Sequence, residues 1–195
     1  MRVIAGKYRG RPVRSLTGTD IRPTSDRLRE TLFDVLTAGN PQALEGSVWL
    51  DVFAGTGAVG IEALSRGAKQ VYFVENSAPA AELIERNLHG LGIAEGYQIL
   101  RDDLSGMLWR LQRDRVVADL VFLDPPYRMQ SAYEETLMAL ADSSLVWAMS
   151  LVIAEHEKKF DPGEEFGSLR RTRKLIQGNT ALSFYRIGGR PDLNG

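Results

Sequence analysis

Residues 48–60 read Val-Trp-Leu-Asp-Val-Phe-Ala-Gly-Thr-Gly-Ala-Val-Gly, an apolar run of strand length that leads through closely spaced glycines into a helical pattern. Glycine permits a tight turn and lets a ligand approach the backbone closely. The stretch therefore predicts a β-strand, a ligand-binding turn and the start of an α-helix, which together form the first β–α unit of an α/β fold.

Apolar runs of strand length alternate with helical patterns along the rest of the chain, which indicates repeated β–α units on a mostly parallel sheet. The predicted strands cover residues 48–53, 71–75, 97–100, 119–124 and 151–155. The predicted helices cover residues 59–66, 78–88, 105–112 and 132–141. Residues 169–177 and 181–187 flank a Gly-Asn turn and predict a closing antiparallel hairpin. We therefore expect an α/β protein with an open, doubly wound sheet of seven strands.

The chain before residue 48 has a different pattern. Residues 2–13 are expected to form a small β-hairpin and residues 25–36 a helix. Residues 21–24 connect them in an extended conformation, because a proline disfavours a helical residue before it. We expect residues 1–36 to form an N-terminal extension ahead of a main domain of residues 37–195.

The composition limits the classes of protein and of site. The 195 residues include no cysteine, which excludes disulfides and cysteine-containing zinc sites. The two histidines, His89 and His156, are far apart in sequence, so we expect no structural metal. The chain begins without a signal-peptide pattern and has no apolar segment of membrane-spanning length. We expect a cytosolic protein that does not associate with membranes.

The net charge of −1 hides an asymmetry along the chain. Residues 1–29 hold seven Arg and one Lys against two Asp, so this segment carries +6 and the remainder −7. Because Lys and Arg bind nucleic acids by neutralising phosphates, the segment predicts a contact surface for a polyanion. A solvated basic arm without a partner is the alternative.

The first β–α junction, with Ala54, Gly55 and Gly57 in its turn, is the predicted cofactor site. Its glycines satisfy the dinucleotide pattern and Glu75 follows about 20 residues later, so a nicotinamide-dependent oxidoreductase is one interpretation. Asp51 argues against it, because a carboxylate before the turn would repel a pyrophosphate at the helix N-terminus. An acid there suits the amino group and sulfonium of S-adenosylmethionine, whose ribose would then reach Glu75.

A further acid lies after the third predicted strand. We favour Asp103 over Asp102 as the acceptor for the adenine amino group, on strand register and the apolar residue that follows. A capping aspartate for the next helix is the alternative.

The tetrad Asp124-Pro125-Pro126-Tyr127 follows the fourth predicted strand. Asp124 offers a carboxylate, and the prolines hold the backbone carbonyls outward without donating N–H groups. A planar amine could donate to both acceptors, while Tyr127 offers a ring on which a flat substrate stacks. A Pro-Pro strand stop with a half-buried tyrosine is the alternative.

These features resemble class I S-adenosylmethionine-dependent methyltransferases, in which residues 51–57 look like the first motif and the tetrad looks like the amino-methylating motif. Two further stretches are similar to the RsmD family of small-subunit ribosomal RNA guanine-N2 methyltransferases. They are Arg-Val-Ile-Ala-Gly-Lys-Tyr-Arg-Gly-Arg at 2–11 and Arg-Pro-Thr-Ser-Asp-Arg-Leu-Arg-Glu-Thr-Leu-Phe at 22–33. The likeness covers nearly the whole chain and implies a Rossmann-like class I methyltransferase fold.

The resemblance also implies a reaction: methylation of the N2 amine of one guanine in 16S ribosomal RNA on the assembling small subunit. S-adenosylmethionine would become S-adenosylhomocysteine, with no metal, and we expect the protein to act as a monomer. The RNA would lie on the extension, where the candidate contact residues are Arg9, Arg11, Arg22, Pro23, Thr24 and Arg27. From the motif chemistry alone, methylation of adenine N6 remains an alternative, as does a non-catalytic RNA-binding assembly factor.

Overall fold

The computed structural model describes residues 1–15 and 26–188. They belong to two compact units, Met1–Asp103 and Leu104–Gly195. The predicted connector at residues 21–24 lies outside the described residues.

The first unit contains three strands and three helices. In chain order they are α1 Asp26–Leu36, β1 Val48–Val52, α2 Ala58–Ser65, β2 Gln70–Val74, α3 Ala78–Leu91 and β3 Tyr97–Leu100. Strand β2 pairs in parallel with both β1 and β3. The predicted β–α alternation is confirmed, and the ends of the elements differ from the predicted ones by at most three residues.

Aromatic packing and one close helix–strand contact form the core of this unit. The rings of Phe33 on α1 and Trp49 on β1 stack with centroids 5.5 Å apart, and both side chains are fully buried. On α2, a Cβ at Gly60 would lie 2.3 Å from the Phe73 ring of β2. Glycine at this position therefore lets the helix that follows the first junction lie directly on the sheet.

Residues 1–15 pack against α1, α2 and α3 and pair with one another over a short distance. Their antiparallel contact is a single bridge between Arg2 and Pro12, flanked by hydrogen bonds from Val3 N–H to Arg11 C=O and from Val13 N–H to Met1 C=O. The predicted hairpin is thus shorter than expected. Pro12 occupies a non-hydrogen-bonded pair of this contact, where its missing N–H removes no ladder hydrogen bond.

The second unit contains the remaining strands. Its elements are α4 Leu104–Arg113, β4 Leu120–Leu123, α5 Ser131–Ala141, β5 Leu151–Glu157, β6 Glu165–Phe166, β7 Leu169–Gln177 and β8 Thr180–Ile187. They are ordered β4-β5-β8-β7-β6. The β4–β5 pair is parallel, and the others are antiparallel.

The predicted closing hairpin is confirmed as β7 and β8, with Gly178 at φ 61° in its turn. The expected number of seven strands is wrong, because residues 1–15 and 26–188 contain eight. The additional strand, β6, pairs only Glu165 and Phe166 with β7. A strand of two residues is too short to show an alternating or apolar pattern in the sequence. Strand β7 also contains a bulge between Arg171 and Arg173.

Among the described residues, no helix is both long enough and apolar enough to cross a lipid bilayer.

Candidate active site

The glycine turn after β1 is held by backbone hydrogen bonds on both sides. Ala54 N–H donates to Val74 C=O at 3.0 Å, and Gly57 N–H donates to Ala54 C=O at 2.7 Å. Gly55 and Gly57 have φ of 55° and 74°, the left-handed region that glycine adopts without a steric penalty. Phe53 also has a left-handed φ, 62°. Such strain in a non-glycine residue occurs preferentially at functional sites. We name residues 54–57 the glycine loop.

Asp51 lies beneath the glycine loop, with only 2% of its surface exposed. Its Oδ2 accepts the N–H of Gly60, in the first turn of α2, at 2.9 Å. Gly57 at the N-cap provides no side chain for this purpose, so Asp51 satisfies a helix donor from the preceding strand. Burial raises the pKa of Asp51 to about 8, the Gly60 hydrogen bond opposes this, and the Glu75 carboxylate adds to it. A cation nearby would stabilise the ionised form.

Glu75 follows β2 and anchors the glycine loop. Its Oε2 accepts Gly55 N–H at 2.9 Å, and its Oε1 accepts Ser77 N–H at 2.8 Å. Each oxygen retains capacity for a further donor, as binding ribose hydroxyls would require. The structure thus brings Asp51, Ala54, Gly55, Gly57 and Glu75 together around one loop.

Asp103 is exposed between β3 and α4. This position leaves the side chain accessible to a ligand. Its role at an adenine remains a prediction.

One residue that contacts the glycine loop could not be predicted from the sequence. Asn87, on α3, is 3% exposed, and its Nδ2 donates to Thr56 C=O inside the glycine loop at 3.0 Å. The same side chain bonds to the backbone of Arg14 in both directions. Its partners lie 31 and 73 residues away, beyond the reach of any local pattern.

In the second unit, the tetrad follows β4 as predicted. Asp124 and Tyr127 are half-buried, Pro125 is buried and Pro126 is exposed. Pro126 C=O accepts Met129 N–H at 2.7 Å, which closes the turn after the tetrad. A carboxylate and an aromatic ring are therefore partly open to solvent at the carboxyl end of a buried strand.

Tyr133 of α5 contacts the backbone of the tetrad, and no pattern in the sequence predicts this contact. Its hydroxyl donates to Glu155 C=O at 2.9 Å and lies 3.5 Å from Pro125 C=O. The side chain is 1% exposed. Burial raises the pKa of Tyr133, and the negative charge of Asp124 contributes next. The hydroxyl therefore remains protonated and links the tetrad to β5.

The basic N-terminal residues divide into two groups. Arg2, Arg9 and Arg27 line a cavity of about 530 Å³ between residues 2–10 and α1. Arg11 instead donates to Leu91 C=O at 2.6 Å and to Gly90 C=O at 2.9 Å, at the C-terminus of α3. Arg22, Pro23 and Thr24 lie outside the described residues. The RNA roles of all these residues remain predictions.

The solved Escherichia coli protein yhhF has the same fold. Its TM-score is 0.78 and its sequence identity 30%, over 96% of this chain and 97% of that one. The fold, the glycine loop and the tetrad define this protein as a class I methyltransferase. The chain belongs to the family described as Conserved hypothetical protein 95, whose model matches residues 1–186. This confirms the resemblance to the RsmD family.

Two curated relatives match over most of their length. Ribosomal RNA small subunit methyltransferase D of Escherichia coli strain K12 is 33% identical over 186 residues, 95% of this chain and 89% of that protein. YlbH of Bacillus subtilis strain 168 is 34% identical over 190 residues, 97% of this chain and 100% of that protein. Family membership thus favours a methyltransferase over a nicotinamide-dependent oxidoreductase.

Proposed function

We propose that this protein transfers a methyl group from S-adenosylmethionine to the exocyclic N2 amine of a guanine in 16S ribosomal RNA. The observation that carries the proposal is the tetrad, which presents the half-buried Asp124 carboxylate and the Tyr127 ring after a fully buried strand. The name of the Escherichia coli relative supports small-subunit ribosomal RNA as the substrate.

S-adenosylmethionine would be held by the glycine loop and the acids around it, and it supplies an electrophilic methyl group. The buried Asp51, whose pKa is raised to about 8, gains a favourable partner when a cation approaches. Glu75, already fixed by two backbone donors, would accept from the ribose hydroxyls. Asp103 would accept from the adenine amine.

The tetrad would orient the amine. The lone pair of a guanine N2 amine is delocalised into the ring, so positioning is the main catalytic contribution. Asp124 and Pro125 C=O would accept the two amine hydrogens, which directs the lone pair at the methyl carbon. The cofactor would supply the methyl group, and Asp124 and Pro125 C=O would hold the amine as it gains that group and loses one proton to solvent. The Asp124 carboxylate stabilises the positive charge that develops on the nitrogen.

Tyr127 would stack on the guanine. A base reaches such a pocket only after leaving its own stack, and an aromatic face replaces part of the lost stacking energy. The hydroxyl of Tyr133 donates to the Glu155 carbonyl and lies near the Pro125 carbonyl. Helix α5 thereby supports the turn that contains Asp124 and Tyr127.

RNA would bind the N-terminal extension, residues 1–36. Within the part of the chain that the structure describes, Arg2, Arg9 and Arg27 form no ion pair with a carboxylate, while Asp26 at the same cavity pairs with Arg29 at 2.7 Å. Glu30 also lines this cavity, but the three guanidinium groups outnumber the carboxylates and suit a phosphate backbone. Arg22, Pro23 and Thr24, which lie outside the described residues, would also contact the RNA. The protein would act as a cytoplasmic monomer on small-subunit assembly intermediates.

Methyl transfer from labelled S-adenosylmethionine to small subunits that lack the modification tests this function. The unsubstituted protein should incorporate label, and digestion should yield N2-methylguanosine. Asp124→Ala should lower turnover by about 100-fold or more, because the amine loses its orienting acceptor. The affinity of the Asp124→Ala variant for S-adenosylmethionine should not change. Asp142 is an exposed aspartate at the end of α5, and the control variant Asp142→Ala should retain full activity.

Three outcomes would contradict the proposal in different ways. N6-methyladenosine as the product would overturn the choice of amine. Normal turnover by Asp124→Ala would overturn the role of the tetrad. Absence of label, together with saturable NAD binding in calorimetry, would reject both the substrate and the cofactor.

A further inference from the structure

Strand β5 carries a buried carboxylate beside the tetrad. The last register pair of the parallel strands β4 and β5 is Leu123 with Ala154. The next residue along β4 is Asp124, and the next along β5 is Glu155. Because both strands run in the same direction, Glu155 occupies the position adjacent to Asp124 at the carboxyl edge of this pair. Glu155 is 4% exposed, and its carboxylate has no part in holding the cofactor or in orienting the amine.

The alternation of side chains along β5 places Glu155 and Asp124 on one face of the sheet. The His156 ring packs edge-on against Tyr133 of α5, with ring centroids 6.4 Å apart, and its Nε2 lies 2.9 Å from Ser183 Oγ on β8. Successive side chains of a strand point to opposite faces, so Glu155 points away from α5. Residues that pair across a parallel ladder share a face, so the position after Leu123 is on the same side as Glu155.

The surroundings of Tyr133 also show that the tetrad and Glu155 lie close together. The Tyr133 hydroxyl donates to Glu155 C=O at 2.9 Å and lies 3.5 Å from Pro125 C=O. Burial is the main cause of the raised pKa of this tyrosine, and the charges of Asp124, Tyr127 and Glu155 raise it further. One hydroxyl is therefore within electrostatic range of both carboxylates and of Tyr127.

The Watson–Crick edge of guanine presents adjacent donors to such a pair of carboxylates. The N2 amine carries hydrogens, and so does the neighbouring ring nitrogen N1. A carboxylate is an acceptor only, and enzymes that extrude a base read it by hydrogen bonds to this edge. Adenine differs at this point, since its N1 has no hydrogen and would meet the carboxylate with a lone pair. A second carboxylate beside Asp124 therefore suits guanine and opposes adenine.

We propose that Glu155 determines the specificity for guanine by accepting the N1–H of the base whose N2 amine is held by Asp124 and Pro125 C=O. This inference rests on the proposed function. Both carboxylate oxygens accept more than one hydrogen bond, so Glu155 binds this hydrogen in addition to its contacts within the protein. Burial strengthens the discrimination, because a buried acceptor that faces the N1 lone pair of adenine cannot be solvated instead.

Methylation of 2-aminopurine in place of the target guanine tests this role, because the analogue keeps the N2 amine and lacks the N1 hydrogen. The substrates are small subunits reconstituted with either base at the methylated position, and the methyl donor is labelled S-adenosylmethionine. The unsubstituted protein should prefer guanine by about tenfold or more in kcat/KM. In Glu155→Gln the preference should fall to about threefold or less, because the amide is uncharged and can turn an N–H toward the N1 of the analogue. The KM for S-adenosylmethionine should not change.

Glu157→Gln is the matched control, because Glu157 lies on the same strand and is exposed. Its turnover and its preference for guanine should equal those of the unsubstituted protein. Circular dichroism checks that each variant folds. If Glu155→Gln does not fold, Glu155→Met replaces it, because a flexible, unbranched apolar side chain fills the space without a charge.

A purely structural role of Glu155 would lower methylation of both bases by the same factor. The inference is therefore overturned if the Glu155 variant keeps the unsubstituted preference, if Glu157→Gln loses it equally, or if the unsubstituted protein methylates both bases equally well. Failure of the unsubstituted protein to methylate guanine would instead reject the proposed function.

Discussion

At the residue scale, Asp51 combines two tasks, only one of which requires a particular charge state. As a hydrogen-bond acceptor for Gly60 it stabilises α2 in either state. As a partner for a cation it must be ionised, although burial raises its pKa to about 8. Because the folded pKa lies above the unfolded value, its contribution to stability is present below about pH 4 and is lost as the pH rises through about 8.

Binding of S-adenosylmethionine should therefore release a proton near neutral pH. At pH 7 the free carboxyl is mostly protonated, and a bound cation favours the carboxylate, so we expect release of up to about one proton per cofactor. Release should be smaller at pH 9. Calorimetry in buffers of different ionisation enthalpy measures the number directly.

Asp51→Asn serves as the control for this titration. The asparagine keeps an acceptor for Gly60 N–H but cannot ionise, so proton release should fall and cofactor affinity should decrease. Equal proton release by the variant would show that another group titrates on binding.

At the scale of elements, the approach of α2 to β2 decides where the glycine loop lies. A Cβ at Gly60 would meet Phe73 Cε1 at 2.3 Å and Val71 Cγ1 at 2.8 Å, both fully buried. Neither neighbour is the flexible end of an exposed side chain. Any larger residue must therefore move the helix, and with it the N-terminus that faces the loop.

Gly60→Ala should destabilise the protein by about 1 to 3 kcal/mol, because overpacking outweighs the better helix propensity of alanine. Urea denaturation measures the free energy of unfolding. Gly90→Ala is the matched control on α3, where no atom lies within 4 Å of the added Cβ. It should be neutral or stabilising by up to about 1 kcal/mol. A stable Gly60→Ala with unchanged cofactor affinity would contradict this account of the packing.

Local pattern predicted most elements, since hydrophobic periodicity reports which face of a segment is buried. It also predicted that Asp51, Glu75 and Asp124 lie at the ends of strands. It did not predict that Glu75 bonds Gly55 or that Tyr133 supports Pro125, because such partners depend on how distant segments pack. The sequence pattern also did not distinguish the roles of Arg11 and Arg9. The guanidinium of Arg11 binds the end of α3, whereas Arg9 lines the cavity.

At the scale of the whole molecule, the charge asymmetry of the chain predicts a salt-dependent interaction with RNA. Log affinity falls linearly with log salt concentration. Each phosphate contact that is lost should make this slope less steep by about 0.7 to 0.9. Arg9→Ala and Arg27→Ala should each show this change in binding titrations with small-subunit RNA at several salt concentrations.

Arg11→Ala is the comparison variant for this series. It should leave the salt slope unchanged and lower the melting temperature, because the carbonyls at the end of α3 lose their donor. A reduced slope for Arg11→Ala would instead place this arginine on the RNA, as the sequence alone suggests.

Strand β7 carries a consequence for the behaviour of the protein at high concentration. Strand β6 pairs with only two of its nine residues, and Glu164 C=O accepts the N–H of Arg171. Among the described residues, the remainder of β7 forms a sheet edge on which another chain could add a strand. This edge bears the bulge at Arg171 and Arg173 together with Arg170 and Lys174. Bulges and charged side chains on an edge strand both oppose edge-to-edge pairing. Arg170, Arg171 and Lys174 form ion pairs with carboxylates of residues 161–165, so a second chain could add to this edge only by displacing these pairs, and the protein should resist aggregation through it.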